Sequence, residues 1–114
     1  MTIDEFLDAS PFARAVHERL RTLLDDPYTV QATKSQLAYR RARGFAYLWL
    51  PGRYLRNPGA EVVLSIVLPR RSDSARFKEV AHPAPGLWIH HLEIHDVTEL
   101  DAEVAAWLRE AAEA

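Results

Sequence analysis

A chain of 114 residues with 48% hydrophobic and 26% charged side chains can bury about two-thirds of its unfolded surface in one packed domain, and is too apolar to be disordered. The absence of cysteine excludes a disulfide framework, a thiolate metal site and a cysteine nucleophile, so only histidine and carboxylates could ligate a metal. The acidic N-terminus lacks the basic start and apolar core of a signal peptide, and the longest apolar run, Val62-Val63-Leu64-Ser65-Ile66-Val67-Leu68, is about a third of a membrane span, so a cytoplasmic protein without a membrane segment is expected.

The formal net charge of −2 conceals three blocks of opposite sign: −3 over residues 1–26, +7 over 27–90 and −6 over 91–114. Along the first block, Thr2 with Glu5 forms a capping-box pattern and Ser10-Pro11 an N-cap with proline at the first helical position. A short opening helix should therefore lead into a longer one reaching about Asp25, with Phe12, Val16, Leu20, Leu23 and Leu24 as its buried stripe and Asp26-Pro27 as its end. From Tyr28 the apolar period becomes alternating, predicting strands near 29–33, 36–41, 45–50, 62–68, 77–81 and 87–94. Arg43-Gly44 reads as a tight turn with glycine at positive φ, and Pro51-Gly52, Asn57-Pro58-Gly59 and Pro83-Ala84-Pro85-Gly86 as loops. Thr98 to Asp101 opens a last helix whose stripe is Leu100, Val104, Trp107, Leu108 and Ala111, with Asp101, Glu103, Arg109, Glu110 and Glu113 in water. The expected architecture is a single α+β domain over 1–114: helical 1–26, an antiparallel sheet of about five strands within 28–95, and a C-terminal helix over 98–113. The helices pack on one sheet face, leaving the other to solvent or a partner.

Three groups of residues could carry chemistry. Thr33-Lys34-Ser35-Gln36, with Arg40, Arg41, Arg43 and Arg53, combines charge for attraction with short polar side chains for direction, as phosphate or carboxylate recognition requires. It has none of the glycines of a P-loop, and its plainer reading is a solvated bend. In Trp88-Ile89-His90-His91-Leu92-Glu93-Ile94-His95, alternation puts Trp88, His90, Leu92 and Ile94 on one face and His91, Glu93 and His95 on the other. Spacing of about 6.5 Å suits a polar ladder better than chelation, and His82 is the one other sheet histidine that could complete a metal site. His90 reads as a core-edge histidine with its hydrogen bonds satisfied. His91 beside Glu93 could form an acid-base pair, but no set of side chains fills a full catalytic constellation, and no cofactor or metal is implied. Finally, Tyr39, Phe45, Tyr47, Trp49 and Tyr54 interleave with arginines in the manner of single-strand nucleic-acid surfaces. Phe45, Tyr47 and Trp49 share one face by alternation and equally suit the core layer under the helices.

Thr33-Lys34-Ser35-Gln36 leading to Phe45-Ala46-Tyr47, then Leu68-Pro69-Arg70-Arg71, Pro85-Gly86-Leu87-Trp88, His90-His91-Leu92-Glu93 and the Asp101 to Ala114 helix resemble a bacterial, actinobacterial-type domain-of-unknown-function family, some of whose members are labelled "predicted transport protein". The resemblance covers nearly the whole chain and implies the fold. It places any shared site at Lys34, Ser35, Gln36, Arg40 and the His90-His91-Glu93 strand. The helix, sheet, helix order is also similar to iron-chaperone-like and DNA-binding "double wing" domains, at the level of fold alone. The expected function is a binding module whose basic sheet surface holds an anionic partner, nucleic acid or a phosphorylated small molecule, through Lys34, Arg40, Arg41, Arg43 and Arg53. The alternatives are self-association as a homodimer, basic sheet against acidic helix, and an enzyme in which Lys34, His91 and Glu93 converge.

Overall fold

A computed structural model describes residues 1–25 and 27–114. Asp26, expected to help end the second helix, lies outside the described residues. Helix α1 (Ile3–Leu7) starts at a complete Thr2/Glu5 capping box, and α2 (Pro11–Leu23) at Ser10, whose hydroxyl accepts from the Ala13 amide ahead of a first-turn proline. Six strands follow: β1 (Thr29–Ala32), β2 (Gln36–Arg40), β3 (Gly44–Trp49), β4 (Val62–Leu68), β5 (Glu79–Ala84) and β6 (Leu87–Ile94). A short 3-10 turn at Pro51–Arg53 begins the 50–61 loop, and another at Val97–Glu99 precedes α3 (Ala102–Glu113). The last helix thus starts later than the expected 98, because Thr98 and Glu99 are used in the turn and Asp101 is the N-cap, accepting from the Val104 amide.

The segments read as strands all join one antiparallel sheet, one strand more than the five expected, in the order β1-β2-β3-β4-β6-β5. Its centre is β4, buried at every position, which is why the sequence there is apolar without alternation. The core lies between the helices and one sheet face: Leu37 and Tyr39 on β2, Ala46 and Leu48 on β3, Val62, Leu64, Ile66 and Leu68 on β4, and Leu92 and Ile94 on β6 meet Phe6, Leu7, Val16 and Leu20 on one side and Val104, Trp107, Leu108 and Ala111 on the other. The stripe expected on the last helix is buried as a whole. The acidic outer face of α3 is partly paired within the chain: Arg70 grips Glu110 through two hydrogen bonds of 2.8 and 2.7 Å, and Arg76 reaches Asp101 and Glu103. A part of the charge segregation is therefore internal complementarity.

Three expectations are corrected. The 77–81 strand is displaced to Glu79–Ala84, because Phe77 leaves the sheet for the core, where it packs on Trp107. Pro83 and Ala84, expected in a loop, then belong to β5, and Pro85-Gly86 alone turn the chain into β6. The positive φ lies at Gly86 (75°) and not at Gly44, where the Tyr47 hydroxyl occupies the space a Cβ would take and would have to swing aside for a larger residue. Space around Gly86 is open, so Gly86→Ala should cost only its backbone term, about 1 kcal/mol, and Gly86→Asn about half of that, measurable by urea unfolding. Equal stability of all three proteins would contradict a left-handed requirement in this turn.

Candidate functional site

The sheet face away from the helices carries the candidate site. Register places Ala38, Tyr47, Ser65, His91 and Glu79 in one row across β2, β3, β4, β6 and β5, and Gln36, Trp49, Val63 and Glu93 in the next. Tyr47 and Trp49 therefore do not join the core layer under the helices, and the shared face expected for Phe45 with them is not observed. The register slips between Tyr39 and Arg40 as β2 pairs with β3, making Phe45 the extra, unpaired residue of a bulge on β3. Phe45 turns to the helix side, where it borders Leu23, Leu24 and Leu108, while Tyr47 and Trp49 stay on the open face.

Two cavities meet along the line of Trp49 and His91. The first, about 420 Å³, is lined by Ser35, Gln36, Tyr47, Trp49, Tyr54, Ser65, Ile89 and His91. No charged side chain is among them. The second, about 480 Å³, lies under the 50–61 loop, with Pro51, Leu55, Asn57 and Gly59 on one side and Val63, Lys78, Glu79 and Glu93 on the other. Both volumes fall in the range of small-molecule sites. Tyr54 and Leu55 are the large exposed hydrophobics of the loop, at 57% and 53%.

At the floor stands a hydrogen-bonded trio. Trp49 Nε1 donates to Ser65 Oγ at 2.9 Å, and Ser65 Oγ lies 2.6 Å from His91 Nδ1. The indole and imidazole rings meet edge to face, centroids 6.0 Å apart. Burial holds the His91 pKa below the ordinary histidine value against the opposing pull of Glu79, so the ring is neutral at neutral pH. A nucleophilic serine would need donors for an oxyanion, yet the backbone N–H groups around Ser65 lie within the ladders that β4 forms with β3 and β6.

The anticipated site residues divide into separate places. Ser35 and Gln36 share the first cavity with His91, whereas Lys34 sits beside them in the exposed β1–β2 turn and is not on the cavity wall. Strands β3 and β4 intervene between β2 and β6, so three interstrand spacings, about 14 Å, separate the two sides. The convergence of Lys34, His91 and Glu93 on one centre does not occur. His91 and Glu93 share the second cavity with Lys78 and Glu79, while Lys34 lines neither cavity. Arg53 donates to the Lys34 carbonyl at 2.7 Å with its guanidinium over the Phe6 ring, tying the 50–61 loop to that turn. Arg40, Arg41 and Arg43 collect at the opposite end of β2, where Arg43 Nε is, among the described residues, the one buried side-chain nitrogen or oxygen without a partner.

His90 is fully buried on the helix face: Nδ1 donates to the Trp88 carbonyl at 2.9 Å and Nε2 accepts from the Ser72 amide at 2.9 Å. It is a satisfied core histidine. His82 stacks on Trp88, ring centroids 3.5 Å apart, and among the described residues no group of three His, Asp or Glu is placed to hold a metal. Sequence reasoning missed Ser65. The signal was present: it is the single polar residue in an otherwise apolar run, and such a residue in a central strand needs a partner on its own face.

Fold and site together define a small α+β domain with a ligand-sized, aromatic and uncharged cavity on the sheet face away from its helices. A family model described as Domain of unknown function (DUF5655) matches residues 3–113, and the chain belongs to that family. No curated protein and no solved structure matches the chain.

Proposed function

We propose that this domain is a small cytoplasmic bacterial binding module for a planar ligand with an anionic group, of the mononucleotide class. The first cavity carries the reading: Tyr47, Trp49 and Tyr54 offer aromatic surface, and Ser35, Gln36 and His91 offer hydrogen bonds without competing charge. The anionic group belongs at the Ser35 end, where Lys34 is exposed. The same chemistry would suit a base of single-stranded nucleic acid, but the 50–61 loop contributes residues to both cavities, which favours a compact ligand over an extended strand. The internal Arg70–Glu110 and Arg76–Asp101 pairs weigh against the basic-sheet-to-acidic-helix homodimer, since those charges are already matched. No helix is long and apolar enough to cross a membrane among the described residues.

Calorimetric titration with uridine and with the four ribonucleoside monophosphates tests this. Trp49→Ala should weaken nucleoside and nucleotide alike by at least about tenfold, the value of one lost stacking contact. Lys34→Ala should weaken only the nucleotides, and added salt should reproduce its effect. Absence of millimolar binding by every monophosphate, or binding indifferent to Trp49→Ala, would remove the proposal.

A further inference from the structure

The trio of Trp49, Ser65 and His91 has a direction. An indole N–H can only donate, so Ser65 Oγ accepts from Trp49. The Ser65 hydroxyl proton then needs an acceptor, because the residue is only 3% exposed, and the one acceptor in reach among the described residues is His91 Nδ1. The alternative tautomer, with the proton on Nδ1, would give Ser65 two donors and strand its own proton. The neutral imidazole is thereby held with its proton on Nε2. That nitrogen has no protein partner among the described residues, and His91 lines both cavities.

We propose that His91 Nε2–H is the fixed hydrogen-bond donor of the open-face site and that it selects ligands presenting a neutral acceptor, a ring carbonyl or ring nitrogen, at the junction of the two cavities. This deepens the nucleotide reading above and rests on it for the ligand class. A phosphate or carboxylate is the wrong group here. Glu79 stands opposite His91 in the β5–β6 register and Glu93 lies two residues along the same strand face, so two carboxylates outnumber the one cation of the second cavity, Lys78, and the first cavity has no cation in its wall. The acceptor end of the ligand and its anionic end are consequently assigned to opposite ends of the open face: neutral acceptor over β4 and β6, anion beside the β1–β2 turn. Polarisation along the chain from Trp49 through Ser65 strengthens the donor, since each hydrogen bond in such a series sharpens the next.

The test reads the tautomer first and the ligand second. In ¹⁵N-labelled protein at pH 7.5, long-range ¹H–¹⁵N correlation of the imidazoles should show His91 as a single Nε2–H tautomer, its signals assigned by their loss in His91→Gln. Ser65→Ala should release that preference while the His90 signals, on the other sheet face, stay in place and report an intact fold. An Nδ1–H or evenly mixed tautomer in the unsubstituted protein would overturn the donor assignment. With uridine 5′-monophosphate, whose base carries two carbonyls, the Nε2 signal should shift, His91→Gln should keep binding because its amide N–H reaches the same place, and His91→Phe should lose about tenfold. Equal affinity of His91→Phe and the unsubstituted protein would also overturn the proposal. Failure of the nucleotide to bind, with the Nε2–H tautomer in place, would count against the function proposed above and leave the donor assignment standing.

Discussion

Trp107→Ala should lower the free energy of unfolding by about 3–5 kcal/mol, the cost of emptying a large aromatic site in a core that cannot fully collapse. Trp107 is 8% exposed, packs on Phe77 with centroids 4.5 Å apart and the rings tilted by 41°, and lies under the Arg76 guanidinium at 5.6 Å. Phe77 in turn packs on His90 at 4.7 Å. The indole is therefore the keystone between α3 and the segment 70–78, which has no strand or helix of its own to hold it. Trp107→Phe keeps the ring contact and should cost only about 1–2 kcal/mol. Because small domains have a total stability of about 5–15 kcal/mol, the alanine variant should be near the edge of folding. Urea unfolding of the three proteins is the check, and a loss below about 1 kcal/mol in Trp107→Ala would show that α3 does not seal the core as described.

Stability should also fall as pH drops from about 6.5 towards 5, before the carboxylates begin to titrate. His17 and His90, like His91, have pKa values below the ordinary 6.5 in the folded protein. Burial is the leading cause for each. At His90 the Ile66 and Trp88 carbonyls oppose it, while Arg70 and Arg71 add to it. At His17, Glu18 and Asp4 oppose burial and Arg21 and Arg14 reinforce it, and the ring lies 2.8 Å from the Tyr39 hydroxyl, itself pushed well above the usual tyrosine range by burial. A histidine with a depressed folded pKa binds its proton more readily when unfolded. Its stabilising contribution is thus complete above about 6.5 and is lost as pH falls through the folded value, at about 1.4 kcal/mol for each tenfold difference in proton affinity between the two states. Protonated His90 could no longer accept from the Ser72 amide, which would be left buried without a partner. His90→Gln should be less stable at pH 7.5 and show a shallower slope between 6.5 and 5. A slope as steep as that of the unsubstituted protein would transfer the acid sensitivity to His17 or elsewhere.

Much of the fold was legible because its signals are local. Thr2 with Glu5, Ser10 with Pro11, the five-residue stripe of α3 and the strand β4 each state their structure within a few residues. What was not legible depends on neighbours across the sheet. Phe45, Tyr47 and Trp49 alternate in sequence, and no feature of those residues announces the slip at Tyr39/Arg40 that sends Phe45 to the helices and leaves the other two on the open face. The site was half visible for the same reason. His91 and the Ser35-Gln36 turn could be named from residue type, but their meeting required β3 and β4 to lie between them, and the trio required Ser65 on β4 to sit flanked by Trp49 and His91. Strand order, which pattern does not encode, turned a basic patch into two separated clusters and an aromatic stretch into a cavity.

If the open face between β2 and β6, and not the arginine hairpin, receives the ligand, amide chemical-shift mapping with uridine 5′-monophosphate should show shifts concentrated at Ser35, Gln36, Tyr47, Trp49, Tyr54, Ser65 and His91, with Arg40, Arg41 and Arg43 unmoved. Shifts centred on Arg40, Arg41 and Arg43 with a silent cavity would place the ligand on the hairpin.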